Sequence, residues 1–148
     1  MFDRTQSPGY MTNWAARLFA RAIDRKLRAI GISSGQLPVF FALGNGEALS
    51  QKALTRAAAI EQPTMAATLV RMERDGLILR KPDPADKRSA LISLTPAARE
   101  KMQGVRDAIA SVNATAVAGL DPAQRETYLA MLRTIIAALE AMPGEDQV

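Results

Sequence analysis

Proline marks the start of one candidate helix after another in this chain, and that punctuation constrains the fold more than any other feature. A proline in the first helical turn lacks an N–H that would be unpaired there anyway, and its fixed φ suits a helix start. Asp121-Pro122-Ala123-Gln124 combines an N-cap, a proline and a Gln that can bond back to the cap, a capping box. Thr95-Pro96 and Gln62-Pro63 open helices in the same way, Ser33-Ser34-Gly35-Gln36 is a second box, and Ser50 can cap a short helix. The expected helices span residues 8–30, 34–43, 51–59, 63–75, 96–118 and 122–142. One stretch alone reads as β: residues 77–81 and 90–94 are short β-prone runs flanking a polar segment, 82–89, that holds two prolines. That pattern is a hairpin with a long tip. The fold class expected is mainly α with a small β-hairpin, and the tail 143–148 is expected to fray.

The last two helices carry sharp apolar stripes, and neither has a long following segment to pack against. Tyr128, Leu132, Ile135, Leu139 and Met142 recur at spacings of four and three, a heptad seam, and Met102, Val105, Ile109, Val112 and Ala116 repeat the pattern one helix earlier. Met11, Trp14, Leu18, Ile23, Leu27 and Ile30 give the first helix a broad apolar face. Two arrangements bury these stripes: a bundle within one chain, or an intertwined homodimer. The second makes 8–30 and 96–142 dimerisation helices around a central lobe, 34–95, in a single domain spanning 1–148.

Composition narrows the chemistry. The chain has no Cys and no His, which removes thiol nucleophiles, disulfides, Ser-His-Asp triads and the usual metal ligands. It also has no glycine-rich phosphate loop and no clustered acid–base set, so no catalytic residue, metal or cofactor is expected, and the chain is not read as an enzyme. No apolar run approaches the ~20 residues of a membrane span. The start, Met1-Phe2-Asp3-Arg4-Thr5-Gln6, lacks the apolar core of a secretion signal, so the expected location is the cytoplasm. The net charge of +4 is unevenly spread: residues 1–30 carry +4, residues 52–88 carry +3, and residues 97–148 carry −2. A basic middle suits a polyanion partner, although scatter alone can produce a surplus of this size.

Two short helices joined by a tight turn and followed by a basic hairpin make a winged helix-turn-helix pattern. On the second of them, at 100° per residue, Met65, Leu69 and Met72 share one side. Pro63, Ala67, Val70, Arg71 and Arg74 then point the opposite way, with Thr64 at the edge. Such a face fits a major groove, where an Arg fork pairs guanine or phosphate and Ala or Val touches a thymine methyl; it is also what a solvated helix face looks like. The hairpin tip carries Asp86-Lys87-Arg88, in which the Asp can pair with the Arg and aim its guanidinium into an A·T-rich minor groove. Arg80 and Lys81 on the adjoining strand, and Lys52 and Arg56 on the short helix, are candidate phosphate contacts. A winged helix can also serve as a module for protein or RNA binding.

At these residues the chain resembles the MarR family (multiple antibiotic resistance regulators). Met72-Glu73-Arg74-Asp75-Gly76-Leu77-Ile78-Leu79-Arg80 is similar to the family's Leu-Glu-x-x-Gly-Leu-(Val/Ile)-x-Arg, and Asp86-Lys87-Arg88 with Leu94-Thr95 to its wing pattern. The helix order matches over nearly the whole chain. The resemblance implies a homodimeric regulator of double-stranded DNA, most often a repressor on an inverted-repeat operator, released by a small aromatic acid or phenol. It departs at the recognition helix, where the family's frequent Ser-Thr-Val-Thr-Arg is Pro63-Thr64-Met65-Ala66-Ala67. Base reading is thereby shifted toward Gln62, Thr64, Arg71 and thymine contacts. Family members that sense oxidants or zinc use Cys or His, which this chain lacks. For an organic ligand, Trp14, Arg17, Arg21 and Phe40 are the candidate lining; Trp14 and Phe40 equally suit core packing.

Overall fold

The computed structural model describes residues 3–144. They form two compact units that divide between Val112 and Asn113.

Local capping explains where most elements begin. Helix α1 (Pro8–Leu27) starts at Ser7, whose hydroxyl accepts the Tyr10 N–H at 3.3 Å. Just before it, the Asp3 carboxylate accepts the Thr5 hydroxyl at 2.6 Å and the Thr5 N–H at 2.9 Å, bonds that hold its carboxyl below the ordinary value. The helix is shorter than its periodicity predicts: Arg28–Ile30 tighten into a 3₁₀ turn that Gly31 ends at φ 73°. The Ser33 box forms, with the Ser33 N–H donating to Gln36 Oε1 at 3.1 Å, yet it closes a 3₁₀ turn, Ser34–Gln36, ahead of α2 (Leu37–Leu43).

The sheet has one more strand than the sequence suggests. β1 (Leu49–Ser50) pairs with β3 (Ala90–Leu94), as does β2 (Ile78–Pro82), giving an antiparallel order β1-β3-β2. Two residues are too few to show an alternation; the pairs Leu49–Ile92 and Ser50–Leu91 come from tertiary packing. Ser50 then caps α3 (Gln51–Ala58) through the Ala53 N–H at 3.1 Å, and Ala59 turns left-handed at φ 53° to end it. Helix α4 (Gln62–Arg74) begins one residue earlier than Pro63 implies, with Glu61 at the N-cap making no side-chain cap bond. α5 (Pro96–Ala116) and α6 (Pro122–Glu140) each stop two residues short of the expected end. Of the tail expected to fray, residues 145–148 lie outside the described residues.

The first unit owns the core. Leu27, Val39, Phe40, Leu43, Leu54, Met65, Leu69, Met72, Ile92, Leu94 and Val105 are buried together. α2 and α5 approach closely at Gly44, where a Cβ would lie 3.0 Å from the Met102 methyl and 2.7 Å from the Phe40 carbonyl oxygen. The Lys101 ammonium donates to the Ile30 carbonyl at the end of the Arg28–Ile30 turn. In the second unit α6 has a full capping box, Asp121 with Gln124 at 2.9 Å in both directions, but no buried residue. Leu129, Met131, Ile136, Leu139 and Met142 are all about half exposed or more.

Candidate nucleic-acid interface

α4 sits on the core by the three residues that its periodicity selects, Met65, Leu69 and Met72, each fully buried. Burying that stripe fixes the opposite face outward. Gln62, Pro63, Thr64, Ala67, Val70, Arg71 and Arg74 are all exposed, Val70 by 63%. The outermost line of the helix, Pro63–Ala67–Val70, has no hydrogen-bonding side chain before Arg74. Thr68 is the polar residue turned inward; its hydroxyl donates to the Thr64 carbonyl at 2.8 Å.

The end of α4 is set by Gly76. The Leu77 N–H reaches the Met72 carbonyl at 2.8 Å and the Gly76 N–H the Glu73 carbonyl at 3.1 Å, with Gly76 at φ 73°. This is a Schellman cap, and it needs the left-handed conformation that glycine adopts without strain. The buried Leu77 and Met72 supply its apolar contact. Thr95 then ties the far end of the hairpin to this point. Its N–H donates to the Leu77 carbonyl at 3.0 Å, its hydroxyl to the Gly76 carbonyl at 2.6 Å, and that hydroxyl accepts the Ala98 N–H at 3.1 Å. One residue thus closes the wing at its base and starts α5.

The wing tip is built from two aspartate turns. Asp83 accepts the Ala85 N–H and Asp86 accepts the Arg88 N–H, both at 2.9 Å. The sequence reading has Asp86 aiming the Arg88 guanidinium; in the structure it orients Arg88 through the backbone, and the guanidinium projects from a fixed turn. The two ion pairs among the described residues lie elsewhere, Arg74–Asp75 at 3.2 Å and Arg80–Glu73 at 3.0 Å. Arg80, read as a phosphate contact, is therefore engaged with α4 and braces the wing against it. Lys81, Lys52 and Arg56 are exposed as the sequence suggests.

The residues read as a ligand pocket separate. Phe40 is in the core, 1% exposed. Trp14 stands on α1 edge-to-face with Tyr10 at 6.3 Å, with the Arg4 guanidinium 5.7 Å from its ring. Arg17 and Arg21 are exposed on the same helix. Phe40 does line a pocket of about 180 Å³, but its other walls include Phe41, Asn45, Met102, Arg106 and Ile109 and none of Trp14, Arg17 and Arg21. Phe41, next to Phe40 on α2, is 66% exposed: Val39 and Phe40 take the buried side of the helix and Phe41 falls beyond its edge. Met102 and Arg106 come from α5, some sixty residues away; the heptad seam marks Met102 as apolar packing, and no local pattern marks Arg106.

A buried-face helix with an outward reading side, a tight turn before it and a braced basic hairpin after it define a winged helix-turn-helix DNA-binding protein. Residues 30–89 match the profile of the MarR family. The chain is 30% identical over 96 residues to YwoH, an HTH-type transcriptional regulator of Bacillus subtilis, covering 65% of this chain and 69% of that one. Its backbone is similar to the crystal structure of a probable transcriptional regulator from Pseudomonas aeruginosa, with a TM-score of 0.79, 28% identity, and coverage of 93% and 99% of the two chains. It is also similar to BpsR of Bordetella bronchiseptica, whose DNA binding is regulated by 6-hydroxynicotinic acid, with a TM-score of 0.77, 25% identity, and coverage of 86% and 96%. The chain belongs to the MarR family of DNA-binding transcriptional regulators.

Proposed function

We propose that this regulator is a cytoplasmic homodimeric repressor that binds an inverted-repeat operator and releases it when a small aromatic acid or phenol binds. The outward side of α4 supplies the reading surface: Gln62 and Thr64 offer hydrogen bonds, while Pro63, Ala67 and Val70 offer an apolar line for thymine methyls, the apolar feature of the major-groove edge. Arg88 enters the flanking minor groove, and Lys52, Arg56, Lys81 and Arg74 neutralise phosphates. Dimerisation rests on the exposed apolar faces of α1 (Met11, Trp14, Leu18) and α6. Covering each such side chain contributes up to about 1.5–3 kcal/mol.

The observation that carries the ligand reading is the pocket beneath α2. Its walls are aromatic and aliphatic, and it holds one guanidinium, Arg106, and one carboxamide, Asn45. A planar carboxylate or phenolate fits that chemistry, with the ring against Phe40 and Phe41 and the charge on Arg106. The relative BpsR, regulated by 6-hydroxynicotinic acid, supports the same reading. Trp14, Arg17 and Arg21, on the open face of α1, would take part where a second protomer faces them. Tenfold release from DNA requires only about 1.4 kcal/mol of coupling between the sites.

The test starts from an operator selected out of a random-sequence duplex pool. Footprinting should show two half-sites about one helical turn, ~10–10.5 bp, apart. A panel of hydroxybenzoic, cinnamic and hydroxynicotinic acids should include members that raise the melting temperature and weaken operator binding. Arg106→Ala should lose both responses and keep its DNA affinity. An Arg106→Ala protein that responds like the parent, or a panel without effect, would overturn the ligand reading.

A further inference from the structure

On the flank of α4 away from the wing lies a second pocket, about 410 Å³, that the reading above leaves unused. Glu73, which pairs with Arg80 of the wing, lies roughly 140–160° around the helix from Thr68 and Arg71 on the pocket wall. The opposite wall is the 28–36 turn between α1 and α2, and the rim carries three arginines, Arg28, Arg71 and Arg74, against one carboxylate, Asp75. That carboxylate already accepts from Arg74 at 3.2 Å. Several of the turn's own amides are taken: the Ser33 N–H by Gln36 at 3.1 Å, the Ser34 N–H by Asp24 at 2.6 Å. What the pocket offers a visitor is therefore guanidinium charge, with the Ser33 hydroxyl beside it.

Such a set recognises an oxyanion. The source follows from where the pocket opens. A helix about 10–12 Å across fills a major groove about 12 Å wide, so the phosphates of the two strands run along its two flanks. One strand meets the wing; the other meets this pocket. Resting on the reading of the protein as a DNA-binding regulator, we infer that the pocket seats a backbone phosphate of bound DNA, with Arg28 from the turn and Arg71 from α4 closing on it from two sides. Arg28 lies far from the helix-turn-helix in sequence, and nothing in the local pattern around it suggests a DNA contact. The seat fixes the depth and roll of α4 in the groove and is indifferent to sequence.

The test uses the full chain and a duplex selected from a random-sequence pool. Arg28→Ala should weaken binding by roughly threefold to tenfold on selected and unrelated duplexes alike, and flatten the salt dependence by about 0.9 per pocket. Replacing backbone phosphates one at a time by neutral methylphosphonate should reveal one linkage per half-site whose loss costs the parent that same factor and costs Arg28→Ala nothing further. Arg28→Lys should restore most of the affinity and the salt slope. Parental affinity and slope in Arg28→Ala would overturn the phosphate seat, as would a methylphosphonate profile identical for the two proteins. Inorganic phosphate without DNA separates the two sources of the anion: if it stabilises the parent over Arg28→Ala while DNA binding is equal, the pocket serves a free oxyanion and the assignment to DNA is overturned. If the parent itself binds no duplex from the pool, the DNA-binding reading fails, and the phosphate titration still decides whether the pocket holds an anion.

Discussion

Asp86 shows how a residue can be found in the sequence and still be assigned the wrong partner. Its place two residues before Arg88 was legible, and a carboxylate beside a guanidinium suggests an ion pair. The structure gives its oxygen to the Arg88 N–H at 2.9 Å, so the carboxylate shapes the backbone of the turn. The two readings differ for a neutral acceptor. Asp86→Asn keeps the turn-forming oxygen and should bind operator within about twofold of the parent. Asp86→Ala loses a bond with a net contribution of about 0.5–1.5 kcal/mol and should bind about twofold to tenfold more weakly. Fluorescence anisotropy titration checks both; Asn as damaging as Ala would restore the ion-pair account. Arg80 has the opposite history, since its charge suggested phosphate and Glu73 claims it at 3.0 Å. The pair is partly exposed and contributes at most about 1 kcal/mol, so its role is to brace the wing more than to stabilise the fold.

Among the elements, α4 was the most legible. Met65, Leu69 and Met72 are buried as its period requires, and a helix anchored on one side must present the other. Its outward line, Pro63–Ala67–Val70, is apolar for about two turns. That line predicts a chemical preference. Replacing thymines of the selected operator by deoxyuridine removes one methyl at a time, and at the contacted positions each loss should cost about 0.8 kcal/mol, roughly fourfold in affinity. Val70→Ala should lose the penalty at one of those positions and leave the others unchanged. A profile flat across every thymine would show that the line faces water in the complex.

The whole molecule poses the question of its partner. α6 buries none of its residues within the chain, and Met11, Trp14 and Leu18 of α1 are 39–48% exposed. Surface of that kind on two terminal helices is accounted for by a second copy. Sedimentation at micromolar concentration should give about twice 16.0 kDa. The double variant Ile135→Asp with Leu139→Asp should sediment as a monomer and lose inverted-repeat footprinting. A monomeric parent that protects both half-sites would overturn the dimer. The two compact units also suit different work, the first holding core, reading helix, wing and the pockets lined by Phe40 and by Arg28, the second a helix with no buried residue.

What the sequence determined by itself was whatever a few neighbouring residues can settle. Caps, prolines and the left-handed Gly76 act within one helical turn, so the order of helices, the position of the hairpin and the buried side of α4 could be read from residues alone. The lack of Cys and His likewise closed off whole chemistries without a fold. Tertiary structure decided what depends on segments distant along the chain. Leu49 and Ser50 become a strand because Ile92 and Leu91 lie beside them. Phe41 lines a pocket because Met102 and Arg106 arrive from α5, and Arg28 faces Arg71 across another. Hydrogen bonds within a turn need only local geometry; these contacts exist only after the core has closed and brought residues some forty to seventy positions apart within reach.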